Sequence, residues 1–272
     1  MRSWYRILKN AVDFPIRQAI RWRRGAPEVH AADKADAFPD LSGAELSATQ
    51  DRAKFLIQKY GLEEFAVSSN MKHYTINLFY LDMLETAFGE TDINLSKEAP
   101  LTVADVGPGA WSYAPAFYSF LRIWNAPSMR TVEIRGFEID AYRVFNDLRS
   151  RFDHAQGHIR NLTGMEYCVG PFTATPERYD LVTLFFPFVL IDDHLDWGLP
   201  QGLFQPSSLL KDAWMSLKPG GVLFVANQGA EEFAEQKRLL DALGASTGPS
   251  MRFESNLHAY EIPRYTHIRT RD

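Results

Sequence analysis

The hydrophobic positions of this chain change period twice. Over the first 24 residues Trp4, Ile7, Leu8, Val12, Ile16, Ile20 and Trp22 recur at roughly helical spacing. Between them stand Arg2, Arg6, Lys9, Arg17, Arg21, Arg23 and Arg24, with Asp13 as the one acid. Pro15 cannot donate the helical hydrogen bond at its position, which predicts two short helices here. Residues 25–40 are rich in Ala, Asp and Pro without a period and read as a linker or loose surface loop. Ser42 and Glu45 have capping-box spacing, Leu46, Ala53, Leu56, Ile57 and Tyr60 follow, and Gly61 supplies a stop, which predicts a helix. A second helix is predicted from after Asn70 to Gly89, burying Ile76, Phe79, Tyr80, Met83, Ala87 and Phe88.

From Pro100 the pattern becomes short apolar runs separated by longer helical ones, as βαβ units with a parallel sheet require. Strands are predicted at 101–106, 131–138, 165–169, 179–185 and 221–226. The alternating stretches 253–260 and 265–269 suit antiparallel strands at a sheet edge. The expected fold is therefore a three-layer α/β arrangement, with a mostly helical amino-terminal extension or lid over residues 1–98 and the core over 99–272.

At 272 residues and 46% hydrophobic the chain can bury a full core. A net charge of −5 gives no general attraction for a phosphate backbone, so no nucleic-acid partner is expected. A single cysteine, Cys168, excludes an internal disulfide and a thiolate metal site and points to a reducing compartment. With no apolar run of membrane-spanning length and no secretory pattern, the expectation is cytoplasmic. The basic amphipathic start permits contact with an anionic membrane surface, and its Arg-rich, acid-poor character is also that of a transit sequence. The simpler arrangement, favoured from sequence, packs its apolar stripe on the domain and leaves the arginines in water.

The chemistry concentrates where strands end. The first strand runs through Asp105 into Gly107-Pro108-Gly109, at the carboxyl edge where open α/β sheets bind ligands. A dinucleotide fingerprint needs a third small residue where Ser112 stands, so a nicotinamide cofactor is disfavoured. The second strand ends in Glu138, placed to accept hydrogen bonds from ribose hydroxyls. Asp140 is the alternative, or merely a cap for the next helix. Asp180 opens an apolar fourth strand, and Lys218-Pro219-Gly220-Gly221 turns into a fifth.

This series, in this order from Leu101 to about Asn227, resembles the motifs of class I S-adenosylmethionine (SAM) dependent methyltransferases. The resemblance implies a Rossmann-like fold, SAM as cofactor, and Asp105, Gly107, Gly109 and Glu138 as its binding residues. Two departures stand out. The interval from Gly109 to Glu138 is long, so the first helix or its loop must be extended. Gly170-Pro171-Phe172 stands where many relatives carry an acid for the adenine amine, which leaves backbone groups and the Phe172 ring for adenine. The implied activity is methylation, at oxygen or nitrogen more readily than carbon, of a small-molecule acceptor. Phe185-Phe186-Pro187-Phe188 lacks the polar residue that DNA amino-methyltransferases carry there. His194, oriented by Asp192 or Asp193, is the candidate base, unless that loop is merely solvated and its acids cap a helix; no metal is expected. His73, Tyr74 and Asn77 on the roofing helix are candidate contacts to the acceptor or to the cofactor carboxylate, with a satisfied place at a helix interface the favoured reading of His73 and Tyr74, and Phe186, Trp197 and Asn227 are further candidate acceptor contacts. The alternatives are an inactive SAM-fold scaffold and a peripheral membrane methyltransferase acting on a lipid or envelope precursor.

Overall fold

The computed structural model describes residues 2–93, 95, 100–245 and 248–272. The boundary expected at 98/99 lies outside the described residues. Helices α1 (Arg2–Ile20), α2 (Gly43–Tyr60), α3 (Glu63–Ser68) and α4 (Met71–Gly89) come first. There follow β1 (Leu101–Val106), α5 (Ala114–Ile123), β2 (Val132–Glu138), α6 (Arg151–Ile159), β3 (Met165–Val169) and β4 (Tyr179–Phe185). The chain continues through α7 (Ile191–Asp196), α8 (Pro206–Met215), β5 (Leu217–Gln228), α9 (Gly229–Ala242), β6 (Ser250–Phe253) and β7 (Arg264–Thr270).

The seven strands form one sheet in the order β3-β2-β1-β4-β5-β7-β6. All pairings are parallel except those of β7, which runs antiparallel to both β5 and β6. This is the expected three-layer Rossmann-like arrangement, with one refinement: of the two carboxyl-terminal strands β7 lies inside the sheet and β6 alone is an edge strand. Every residue of β4 is buried, because helices cover both faces of a parallel sheet and leave no polar side to alternate. One face packs Leu56, Phe79, Phe88, Phe117 and Phe120 of α2, α4 and α5 against Leu181 and Phe224. The other packs Leu210, Leu239 and Leu240 of α8 and α9 against Val182, Leu223 and Val225.

Two motif residues that carried the resemblance turn out to fasten strands together. Asp180 Oδ2 accepts from the Thr102 N–H (2.8 Å) and hydroxyl (2.7 Å), and Lys218 Nζ donates to both of its oxygens (2.9 Å). The acid thus ties the start of β1 to the start of β5, far from the carboxyl edge.

Several local expectations change. The amino-terminal segment is one helix through Pro15, whose exposed position lets the carbonyl freed one turn back face water. Its orientation is opposite to the favoured one: the polar side chains grip the domain and the apolar row faces outward. The Ser42 side chain makes no cap bond, whereas Gly61 ends α2 in the left-handed conformation as expected, at φ 62°. The 25–40 segment has no helix or strand yet is anchored, since the N–H groups of Arg24 and Gly25 both donate to Asp153 at 2.9 Å. The strand expected at 253–260 instead spans Ser250–Phe253.

Candidate active site

The sheet order reverses between β1 and β4, so the loops leaving these neighbours diverge and open a crevice at their carboxyl ends. The glycine turn lies there. Gly107 and Gly109 take φ of +75° and +60°, which a Cβ would strain, although nothing lies within 4 Å of where either Cβ would be. Backbone is therefore presented to open space.

Asp105 organises this turn from behind. Trp111 Nε1 and the Tyr113 hydroxyl each donate to its Oδ2 at 2.7 Å, and Thr183 Oγ1 donates to Oδ1 at 2.8 Å. Burial pushes its carboxyl up to about 6, with those three hydrogen bonds pulling the other way. No surface of Asp105 is accessible, so its expected direct contact with a cofactor is corrected to a positioning role. Trp111 fits only because β2 has no side chain opposite: a Cβ on Gly136 would fall 2.7 Å from the indole.

Glu138 closes the other side of the turn. Its Oε2 accepts from the Gly109 N–H at 2.8 Å and its Oε1 from the Asp140 N–H at 2.7 Å. Arg151, at the start of α6, completes an ion pair with Oε1 at 3.3 Å, both side chains being nearly buried. Three donors leave about one acceptor position of the roughly four on a carboxylate, on Oε2, for a ligand hydroxyl. The strand tip, the open glycine turn and this remaining acceptor fit a ribose in kind. Arg151 lies 5.2 Å from the Trp197 ring, which brings Trp197 to the Glu138 side of the glycine turn. Asp140, two residues beyond Glu138, is fully buried and bound by Arg17 of α1 through Nε and Nη2, both at 3.1 Å.

The roof is built by α4. Asn77, fully buried, donates to the carbonyls of His73 and Ser112 (2.8 Å each) and accepts from the Ala116 N–H (3.0 Å). It bolts α4 to the segment after the glycine turn, and with its polar atoms satisfied it is corrected from an acceptor contact to a brace. His73 meets the His158 ring edge-on at 4.6 Å, and burial lowers its pKa. Tyr74 lines a separate hollow of about 260 Å³ with Lys34 and Phe38, which shares no residue with the glycine turn.

Beyond the turn an aromatic wall continues from Asp105. Tyr113 stacks on Tyr80 at 4.1 Å, and Tyr80 meets Phe185 and Phe186 edge-on at 5.1 and 6.1 Å. Phe186, at the end of β4, holds φ of +58°, a strained conformation for a bulky residue. The Arg264 guanidinium lies 5.0 Å from the Phe186 ring and 4.0 Å from that of Tyr260, and its buried Nε has no partner among the described residues. Sequence reasoning missed Arg264. The available signal was a charge in an alternating carboxyl-terminal strand immediately after Pro263.

Two expectations are not met. His194 and Asp192 do not come together: His194 is buried with Nε2 2.8 Å from the Pro200 carbonyl, while Asp192 is exposed and paired with Arg6 at 2.7 Å. Burial lowers the His194 pKa and the ring is edge-on to Phe188 and Phe204, so it serves as a loop anchor rather than a base facing the cleft. Phe172 is corrected likewise; it is buried against Phe137 and Tyr179 as part of the core, without a face for adenine. Asn227 is wholly buried, with neither side-chain polar atom partnered among the described residues.

No family model matches the sequence, and no curated protein is found as a relative. In fold the chain is similar to a SAM-dependent methyltransferase from Aquifex aeolicus, at 15% identity over 72% of this chain and 91% of that one, TM-score 0.46. It is also similar to a human methyltransferase 10 domain containing protein, at 14% identity over 82% and 96%, TM-score 0.46. A third is M. jannaschii TYW2 in complex with AdoMet, at 10% identity over 70% and 75%, TM-score 0.41.

Proposed function

We propose that the chain is a SAM-dependent methyltransferase acting on oxygen or nitrogen of a small, flat acceptor. The observation that carries this reading is the Glu138–Gly109 hydrogen bond, which joins the acid at the tip of β2 to the open glycine turn after β1. SAM would supply an electrophilic methyl group on a cationic sulfur. Glu138 accepts from the ribose, Gly107 and Gly109 allow close approach to the backbone, and Asp105 and Asn77 keep turn and roof in register. The acceptor lies against Tyr80 and Phe186, where an apolar wall excludes water and holds the nucleophile in line. Arg264, bonded to the Ile262 carbonyl at 2.6 Å and packed against Phe186 and Tyr260, supports that wall from behind. A general base is not required of His194.

Calorimetric titration with SAM and with its demethylated product, on wild type and Glu138→Ala, tests the reading. Binding strongly weakened in the variant supports it. Absence of binding to folded wild type overturns it and leaves a scaffold as the better account, as does retained binding without turnover across an acceptor screen that includes Arg264→Met.

A further inference from the structure

Helix α1 is mounted with its polarity reversed. Toward the domain it turns Arg6, paired with Asp192 and Asp196 of α7, and Asn10, whose amide donates to the carbonyls of Leu195 (2.8 Å) and Leu199 (3.0 Å). Arg17 adds its bonds to Asp140 and to the Gly198 carbonyl (3.0 Å). Toward solvent it turns Trp4, Tyr5, Leu8, Val12, Ile16 and Ile20, each between 49% and 62% exposed. Ala11, Pro15 and Ala19 fill the gaps between them, and no acid interrupts the row. A helix on the surface of a soluble domain normally faces water with its charges, and a continuous apolar row of this length marks a binding surface.

We infer that α1 docks the protein on an anionic lipid surface, lying flat in the interface with its apolar row inserted. Charge selects this occupant. Residues 1–24 carry a net +6, from the seven basic residues and Asp13, while the remaining chain carries −11 to give the total of −5; with Arg6 and Arg17 held by acids of the domain, the other basic residues of the segment supply the attraction. A second copy seated on this row would bring two +6 segments together, whereas an anionic bilayer attracts the segment and repels the body behind it. Trp4, Tyr5 and Trp22 are of the type that settles at the headgroup level. No helix among the described residues is long and apolar enough to cross a membrane, so the attachment is to one surface. This inference does not depend on the methyl-transfer reading.

The test is sedimentation of the full chain with vesicles of phosphatidylcholine alone or mixed with phosphatidylglycerol, using wild type and the triple variant Leu8→Glu/Val12→Glu/Ile16→Glu. These side chains are exposed, so the variant keeps its fold, checked by an unchanged melting curve. The expected result is binding to the mixed vesicles only, weakened by added salt, with a blue-shifted tryptophan emission, and a loss of at least ~10-fold in the variant. No wild-type binding to mixed vesicles overturns the inference, as does equal binding to both compositions or undiminished binding of the variant. A concentration-dependent dimer abolished by the same substitutions also overturns it, in favour of a second copy as the occupant.

Discussion

Replacing Asp105 with Asn should make the protein less sensitive to alkaline pH without dismantling the glycine turn. In the folded state burial raises the carboxyl from 3.8 to about 6. At about 1.36 kcal/mol per unit, this shift means that ionising Asp105 costs the native state roughly 3 kcal/mol relative to the unfolded chain. The sign follows from the raised value: the contribution is fully present below 3.8, where both states are protonated, and is lost as pH rises through about 6. An Asn carbonyl in the Oδ2 position can still accept from Trp111 and Tyr113, and its amide can donate to Thr183 once that hydroxyl turns toward the Ala104 carbonyl, 3.4 Å away. Urea denaturation of both proteins at several pH values cancels every other titrating group in the difference. Relative to wild type, Asp105→Asn should gain up to about 3 kcal/mol between about pH 4 and about pH 8. A difference that stays flat over that range refutes the reasoning and means that the carboxylate is better solvated or compensated than its burial implies.

The indole of Trp111 occupies the place a Gly136 side chain would take, so Gly136→Ala should destabilise by about 1–3 kcal/mol in denaturant melts. Trp111→Leu in the same background should recover part of that loss, a coupling that independent sites would not show. His194→Gln should lower stability by about 1 kcal/mol while leaving the calorimetric affinity for SAM unchanged, because the ring holds the Pro200 carbonyl and does not face the cleft. His158 and His267 are held neutral by burial, both near 3, so their contribution is present above 6.5 and lost as pH falls toward 3. Wild-type stability should therefore decline on acidification below about 6.5, and His158→Leu should flatten part of that decline in acid-denaturation curves.

The glycine turn, the acid at the strand tip and the strand positions were legible because each is dictated locally. Gly107 and Gly109 stand where a left-handed backbone is needed, and the buried strands read as unbroken apolar runs. The partners of those residues were not legible. Whether Asp105 touches a ligand depends on Trp111 and Tyr113 folding back over it, and whether His194 faces the cleft depends on the path of 195–200. The orientation of α1 is not legible for a related reason. Its apolar period identifies a helix but does not say which side meets the domain; that is decided by distant acceptors, Asp140, Asp192 and the carbonyls of Leu195 and Leu199. Arg264 does not stand out in the sequence because its neighbours, Phe186 and Tyr260, are adjacent only once β7 enters the sheet.

That entry bears on the order of assembly. Strand β7 is an interior member of the sheet, yet it follows β5, its main partner, only after α9 and β6. During synthesis the edge of β5 therefore waits unpaired beside a wholly apolar stretch, Val222–Ala226, while about 40 residues are still to emerge. The interval is a window in which another nascent chain can compete for the same edge, so the yield of native protein should respond to translation speed through this region and to chaperones that shield unpaired strands.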